Sequence, residues 1–102
     1  MGSPSYGRVE VQYNRAWGRV CGSNWNLKNG HVICRMLGYS HAVAASGSRR
    51  YGKGNGPIWM SEVRCTGNEE SIATCPHMGW GVHECQQDYE AWVICSNSSG
   101  KS

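Results

Sequence analysis

Phenylalanine is absent from this 102-residue chain, and leucine occurs only at Leu27 and Leu37. That excludes a core built mainly of Leu and Phe. Five Trp and five Tyr are left to supply much of the bulk, and each buried indole brings an N–H that needs an acceptor. Aspartate is almost missing too: Asp88 stands alone. One Asp leaves little from which to build the clustered-carboxylate sites that hold hard cations. No apolar run reaches membrane-spanning length, and no secretory leader pattern is present. No C-x-x-C pair occurs either, which argues against structural zinc.

What is present is an even set of six cysteines, Cys21, Cys34, Cys65, Cys75, Cys85 and Cys95. In so short a chain this reads as a disulfide framework, and such frameworks persist where thiols are not kept reduced, outside the cell. Each bridge adds ~2–4 kcal/mol, mainly by restricting the unfolded chain. The length fits one domain. Net charge is +3 with pI near 8.6, mildly basic and short of a nucleic-acid-binding signature. Residues 1–6 are expected to be a cloning remnant or a replaced first strand, residues 7–95 the domain, and residues 96–102 a linker or added tail.

Residues 7–13 alternate, with Val9, Val11 and Tyr13 on one face and Arg8, Glu10 and Gln12 on the other, which predicts a half-buried strand. Asn14-Arg15 is the expected turn, and residues 17–21 the returning strand. Asn26 is expected to cap a helix that carries Ile33, Met36 and Leu37 inward and ends at Gly38. Residues 46–57 read as a Gly-rich loop with a basic centre. A short strand is expected over 58–63 and a second short helix, capped by Asn68, over 69–74. Residues 76–81 read as irregular and 91–95 as a closing strand. The balance is α+β, several short strands around one real helix.

The segments Gly7-Arg8-Val9-Glu10-Val11, Trp17-Gly18-Arg19-Val20-Cys21 and Val32-Ile33-Cys34-Arg35-Met36-Leu37-Gly38-Tyr39 resemble the scavenger receptor cysteine-rich domain. So do Gly52-Lys53-Gly54-Asn55-Gly56-Pro57-Ile58-Trp59, Cys65-Thr66-Gly67-Asn68-Glu69 and Gly79-Trp80-Gly81. In this order, with six cysteines in register, the resemblance is to the group A type. It implies a curved sheet of about six strands cradling one main helix, with a short second helix. From the many pairings six cysteines allow, it selects Cys21 with Cys85, Cys34 with Cys95, and Cys65 with Cys75.

The resemblance also implies a binding module and not an enzyme, an extracellular one that is secreted or part of an ectodomain. Ligands of such modules are proteins, anionic polysaccharides or microbial surfaces, often with calcium or magnesium. Acids usual in the family are replaced here: Gly22-Ser23 stands for an Asp pair, Ser61 for an Asp, Asn26 for an Asp and Tyr89 for an acid, while Glu62 survives. Calcium is therefore disfavoured and no cofactor is expected. Asp88 and Glu90 are the weak candidates for a residual cation site.

The favoured contacts are Arg49, Arg50 and Lys53 on the Gly-rich loop, with Arg64 joining them, because guanidinium forks suit sulfate, phosphate and carboxylate groups. The alternative is a non-catalytic ancillary domain of a secreted oxidase or protease, or a structural spacer. The phosphate-loop-like run from Gly47 to Lys53 lacks the following Ser or Thr and is set aside. The four histidines are scattered and read as surface or core residues. Trp92, where the family usually has Gly, is expected to fill space in the core. Asn97-Ser98-Ser99 is an acceptor triplet for N-glycosylation.

Overall fold

A computed structural model describes residues 5–48, 50–52, 54–82, 85 and 89–97. Six strands divide into two three-stranded sheets, with one α-helix and one 3-10 turn. The strands are β1 (Ser5–Arg8), β2 (Glu10–Tyr13), β3 (Ala16–Val20), β4 (His41–Ser48), β5 (Ile58–Met60) and β6 (Glu90–Ser96). The helix α1 is Leu27–Met36, and the 3-10 turn is Ile72–Thr74.

The alternating segment at the front of the domain is one extended run serving both sheets. β1 pairs with β6 in the sheet ordered β1-β6-β4, while β2 pairs with β3 in the sheet ordered β2-β3-β5. Val9 is the crossover, and its N–H donates to Ala91 O. Both Val9 and Val11 are buried, as the alternation predicts, although they belong to different sheets. β1 begins at Ser5, two residues ahead of the expected start. The β2–β3 hairpin turns on Asn14 and Arg15, whose φ values of 52° and 66° match the turn whose twist suits a two-residue hairpin.

Helix α1 starts where expected. The Asn26 side chain accepts from the Asn29 N–H, which satisfies one of the open amides of the first turn. Its buried face is Asn29, Gly30, Val32, Ile33 and Cys34, and it packs on β4 and β6. Gly30 permits the close approach: a Cβ there would lie 2.7 Å from the Ala45 Cβ. Met36 and Leu37, expected inward, are 47% and 63% exposed. The helix ends as expected, with Leu37 as its C-cap and Gly38 at φ 92° just beyond, and the Met36 sulfur accepts from the Ile72 N–H.

Two further expectations are corrected. β4 was not foreseen, because its Ala-, Ser- and Gly-rich run has little of the β-branched or aromatic content that marks strands. The helix expected over 69–74 is only the 3-10 turn, capped by Ser71. Glu69 does not begin a helix, since its carboxylate accepts from the Thr66 and Gly67 N–H groups. Those bonds, Thr66 first, hold its carboxyl below the usual glutamate range. The strand expected over 58–63 stops at Met60, and Glu62 takes a φ of 54°.

The disulfides are Cys21–Cys85, Cys34–Cys95 and Cys65–Cys75, the pairing that the resemblance implies. Trp92 is buried at 8% exposure, and its indole N–H donates to Ser48 Oγ. The Trp59 N–H donates to Ala16 O, while that of buried Trp25 finds no acceptor among the described residues.

Candidate functional site

Strand β6 is apolar on both faces. Ala91, Val93 and Cys95 face the core side, while Glu90, Trp92 and Ile94 alternate onto the other side of the sheet. That outer face is roofed by the loop following β4, and the loop carries the basic residues singled out from the sequence.

Glu90 explains how the loop is held. It is only 2% exposed, and a buried carboxylate needs charged or hydrogen-bonding partners. Arg19 Nη1 donates to it at 3.0 Å, Arg8 Nε lies 3.7 Å away, and the Gly54 N–H donates to both its oxygens at 3.0 Å. The same arginines reach past the carboxylate. Arg8 Nη1 donates to Tyr51 O at 2.7 Å, and Arg19 Nε to Gly56 O at 2.9 Å. Three backbone groups of the loop are thus fixed by one ion cluster. Such buried pairs add little net stability, but they penalise conformations that break them.

Arg50 sits on this fixed loop and is exposed. Its N–H donates to Ser48 Oγ, the oxygen that also accepts from Trp92. Its guanidinium lies 4.9 Å from the Trp92 ring centre and 5.5 Å from that of Tyr51. Stacking of this kind uses the guanidinium face and leaves the in-plane N–H donors for a ligand. Tyr51 in turn lies 5.5 Å from Tyr6, which is 65% exposed. The sequence pattern missed this aromatic company. Its signal was the Tyr6, Tyr51 and Trp92 set, which only sheet pairing brings together. Arg49 and Lys53 lie outside the described residues.

Arg64 has different surroundings. Its side chain is 73% exposed and 3.9 Å from Glu62. It borders a cleft of about 540 Å³ lined by Ser23, Ser61, Glu62, His77 and the Cys21–Cys85 bridge. Arg50 and Arg64 share no contact among the described residues. Within the cleft, Glu62 accepts from Ser23 Oγ at 2.9 Å and Asn24 Nδ2 at 2.6 Å. The Asn24 bond first, and then the Ser23 bond, hold its carboxyl below the usual glutamate range.

Gly22, beside Ser23, has no room for a side chain. A Cβ there would lie 2.5 Å from the Gly47 Cα and 3.0 Å from the Glu90 carbonyl carbon. Of the two weak cation candidates, Glu90 is enclosed by the arginines and Asp88 lies outside the described residues. Cys65, Glu69 and Cys75 place ligand atoms within 4.8 Å of one another, but both sulfurs belong to one disulfide. His31 is structural: its Nδ1 accepts from the Ala42 N–H. Burial, then His41 and Arg35, lower its pKa from the ordinary value.

Comparison with known proteins gives a consistent result. The family description "Scavenger receptor cysteine-rich domain" matches residues 2–96. The chain is 50% identical over 97 residues to a galectin-3-binding protein of Rattus norvegicus, covering 95% of this chain and 17% of that protein. It is 46% identical over 93 residues to lysyl oxidase homolog 2 of Homo sapiens, covering 91% of this chain and 12% of that protein. The dimeric form of the SRCR domain of mouse MARCO superposes with a TM-score of 0.86 at 44% identity, covering 94% and 91% of the two chains. The third SRCR domain of murine neurotrypsin gives 0.79 at 45% identity, covering 88% and 84%. The chain therefore spans less than a fifth of the full-length relatives it matches.

Proposed function

The chain belongs to the scavenger receptor cysteine-rich family, a family of non-catalytic ligand-recognition modules, and from that premise we propose that it recognises a protein or polyanionic ligand through the loop around Arg50, with little dependence on calcium. The observation that carries this reading is the presentation of Arg50. Its guanidinium is stacked on Trp92 and Tyr51, on a loop pinned by Glu90, Arg8 and Arg19. Fixing a cationic fork in advance lowers the entropy lost on binding. Arg49 and Lys53 are adjacent in sequence, and residues 46–57 hold no acid to oppose an anion.

The chemistry of the cleft supports calcium independence. Gly22 and Ser23 offer no carboxylate, and both Glu62 oxygens accept hydrogen bonds from neutral side chains. Hard divalent cations are held by several convergent oxygens, usually with more than one carboxylate. Three disulfides fit an extracellular setting, and no helix among the described residues is long and apolar enough to cross a membrane. The match to lysyl oxidase homolog 2 favours a second reading, an ancillary domain that positions a secreted enzyme.

Heparin chromatography tests the proposal. The protein is expected to be retained, and equally so with a chelator present. The double charge reversal Arg49→Glu with Arg50→Glu should elute at clearly lower salt. Retention abolished by chelator would overturn the calcium-independent reading. Absence of retention would shift the assignment to a protein partner.

A further inference from the structure

Asparagine is followed by glycine twice in the chain, at Asn29-Gly30 and at Asn55-Gly56. This pairing is the one most open to attack by the backbone on the asparagine side chain. No Cβ shields the following nitrogen, and the glycine turns freely. The fold treats the two pairs in opposite ways.

Asn29 lies on α1 with 0% exposure. Its Nδ2 donates to Val63 O and its Oδ1 accepts from the Cys65 N–H, both at 2.9 Å. The Gly30 N–H donates to Asn26 O at 3.0 Å. Side-chain amide and backbone nitrogen are thus both engaged. Asn55 is exposed, on the loop between β4 and β5. Among the described residues neither its side-chain amide nor the Gly56 N–H has a hydrogen-bond partner. The fold also demands the glycine: Gly56 has a φ of 87°, and a Cβ there would lie 2.6 Å from Trp17 O. Arg19 Nε donates to Gly56 O at 2.9 Å. A positive charge therefore sits beside the residue whose nitrogen must give up its proton.

We propose that Asn55 is a site of spontaneous deamidation, yielding mainly isoaspartate, and that the conversion loosens the loop between its anchors. The Gly56 nitrogen loses its proton and attacks Asn55 Cγ. A C–N bond forms, the bond to the side-chain nitrogen breaks, and that nitrogen leaves with the proton as ammonia. Water then opens the resulting succinimide at either carbonyl. One opening restores the backbone and gives aspartate; the other routes the backbone through the side-chain carbon and gives isoaspartate. In sum, ammonia leaves and water enters. The product brings a carboxylate into residues 46–57, which hold no acid before it. Isoaspartate also lengthens the backbone by one carbon between Gly54, whose N–H is bonded to Glu90, and Gly56, whose carbonyl is bonded to Arg19.

The test incubates the intact chain at mildly alkaline pH and body temperature. Tryptic peptides 29–35 and 54–64 are then followed over time by mass spectrometry, with isoaspartyl methyltransferase labelling. In the native protein 54–64 should convert at least about tenfold faster than 29–35, because the buried pair reacts only through local opening. That difference should largely disappear once the chain is reduced and denatured. Asn55→Gln should abolish the native-state conversion and the acidic species that accompanies it on ion exchange. In the purified isoaspartyl form the Gly54 amide should exchange with deuterium faster than in the parent chain.

An Asn55 that stays intact in the native protein overturns the site, as do equal native rates for the two peptides. A converted chain with unchanged Gly54 exchange leaves the site standing and overturns the loosening of the loop.

Discussion

Two glutamates show how the same side chain serves two adjoining regions of this domain. Glu90 is sealed inside, enclosed by two arginines and a loop amide. Glu62 lies at the rim of a cleft, accepting from a serine and an asparagine, with Arg64 only at 3.9 Å. The first organises the loop that carries Arg50 while itself almost sealed from solvent. The second faces solvent, with its oxygens already engaged. Counting acids near a suspected site therefore says little; burial and partner charge decide what each one does.

The comparison breaks most visibly at Glu90. Glu90→Gln keeps the shape and removes the buried charge that Arg8 and Arg19 both face. A loss of roughly 3–5 kcal/mol is expected in urea denaturation, the scale for breaking one side of a buried pair. The Gly54 amide should exchange with deuterium much faster. An unchanged midpoint would show that the cluster is not what holds the loop.

An intermediate effect is expected where the two regions touch. Gly22 abuts both the Gly47 backbone and the Glu90 carbonyl carbon. Gly22→Asp, which restores an acid usual in the family, should cost about 1–3 kcal/mol as overpacking does. It should do so with or without calcium. A variant that is as stable as wild type and stabilised further by calcium would show that the contact yields.

The smallest effect is expected at Glu62. Its folded pKa is depressed by Asn24 and Ser23. Its contribution is thus fully present above the ordinary glutamate pKa and is lost as pH falls through the depressed folded value. Glu62→Gln should leave stability at neutral pH nearly unchanged and flatten that acid-side decline. Carboxyl NMR gives a direct check: titration of Glu62 at the ordinary glutamate value would mean that the two hydrogen bonds do not persist in solution.

Much of the frame was legible in the residues. Asn26 announced the helix start, Asn14-Arg15 the hairpin and the cysteines the staples, because each is a local rule with a specific chemical cause. The sheet partners were not legible. Alternation through Val9 and Val11 reports burial and is silent about which strand lies alongside, so the change of sheet at Val9 left no trace. β4 was hidden by its small residues, and the contact of Met36 with the 3-10 turn lies with residues distant in sequence.

At the candidate site, Arg50 was visible as part of a charge run, but its aromatic support and its ion-cluster anchor depend on strands distant in sequence. Glu90 did carry an overlooked signal. A charged residue in a strand that is otherwise apolar on both faces is buried, and it must therefore be paired.

The register of the outermost pair has an architectural consequence. Ser5 at the start of β1 is the partner of Cys95 near the end of β6, so the polypeptide enters and leaves the fold about one strand spacing apart, ~5 Å. A domain joined at such neighbouring points adds almost nothing to the reach of the chain that carries it. That geometry suits displaying a surface far better than holding two neighbours apart.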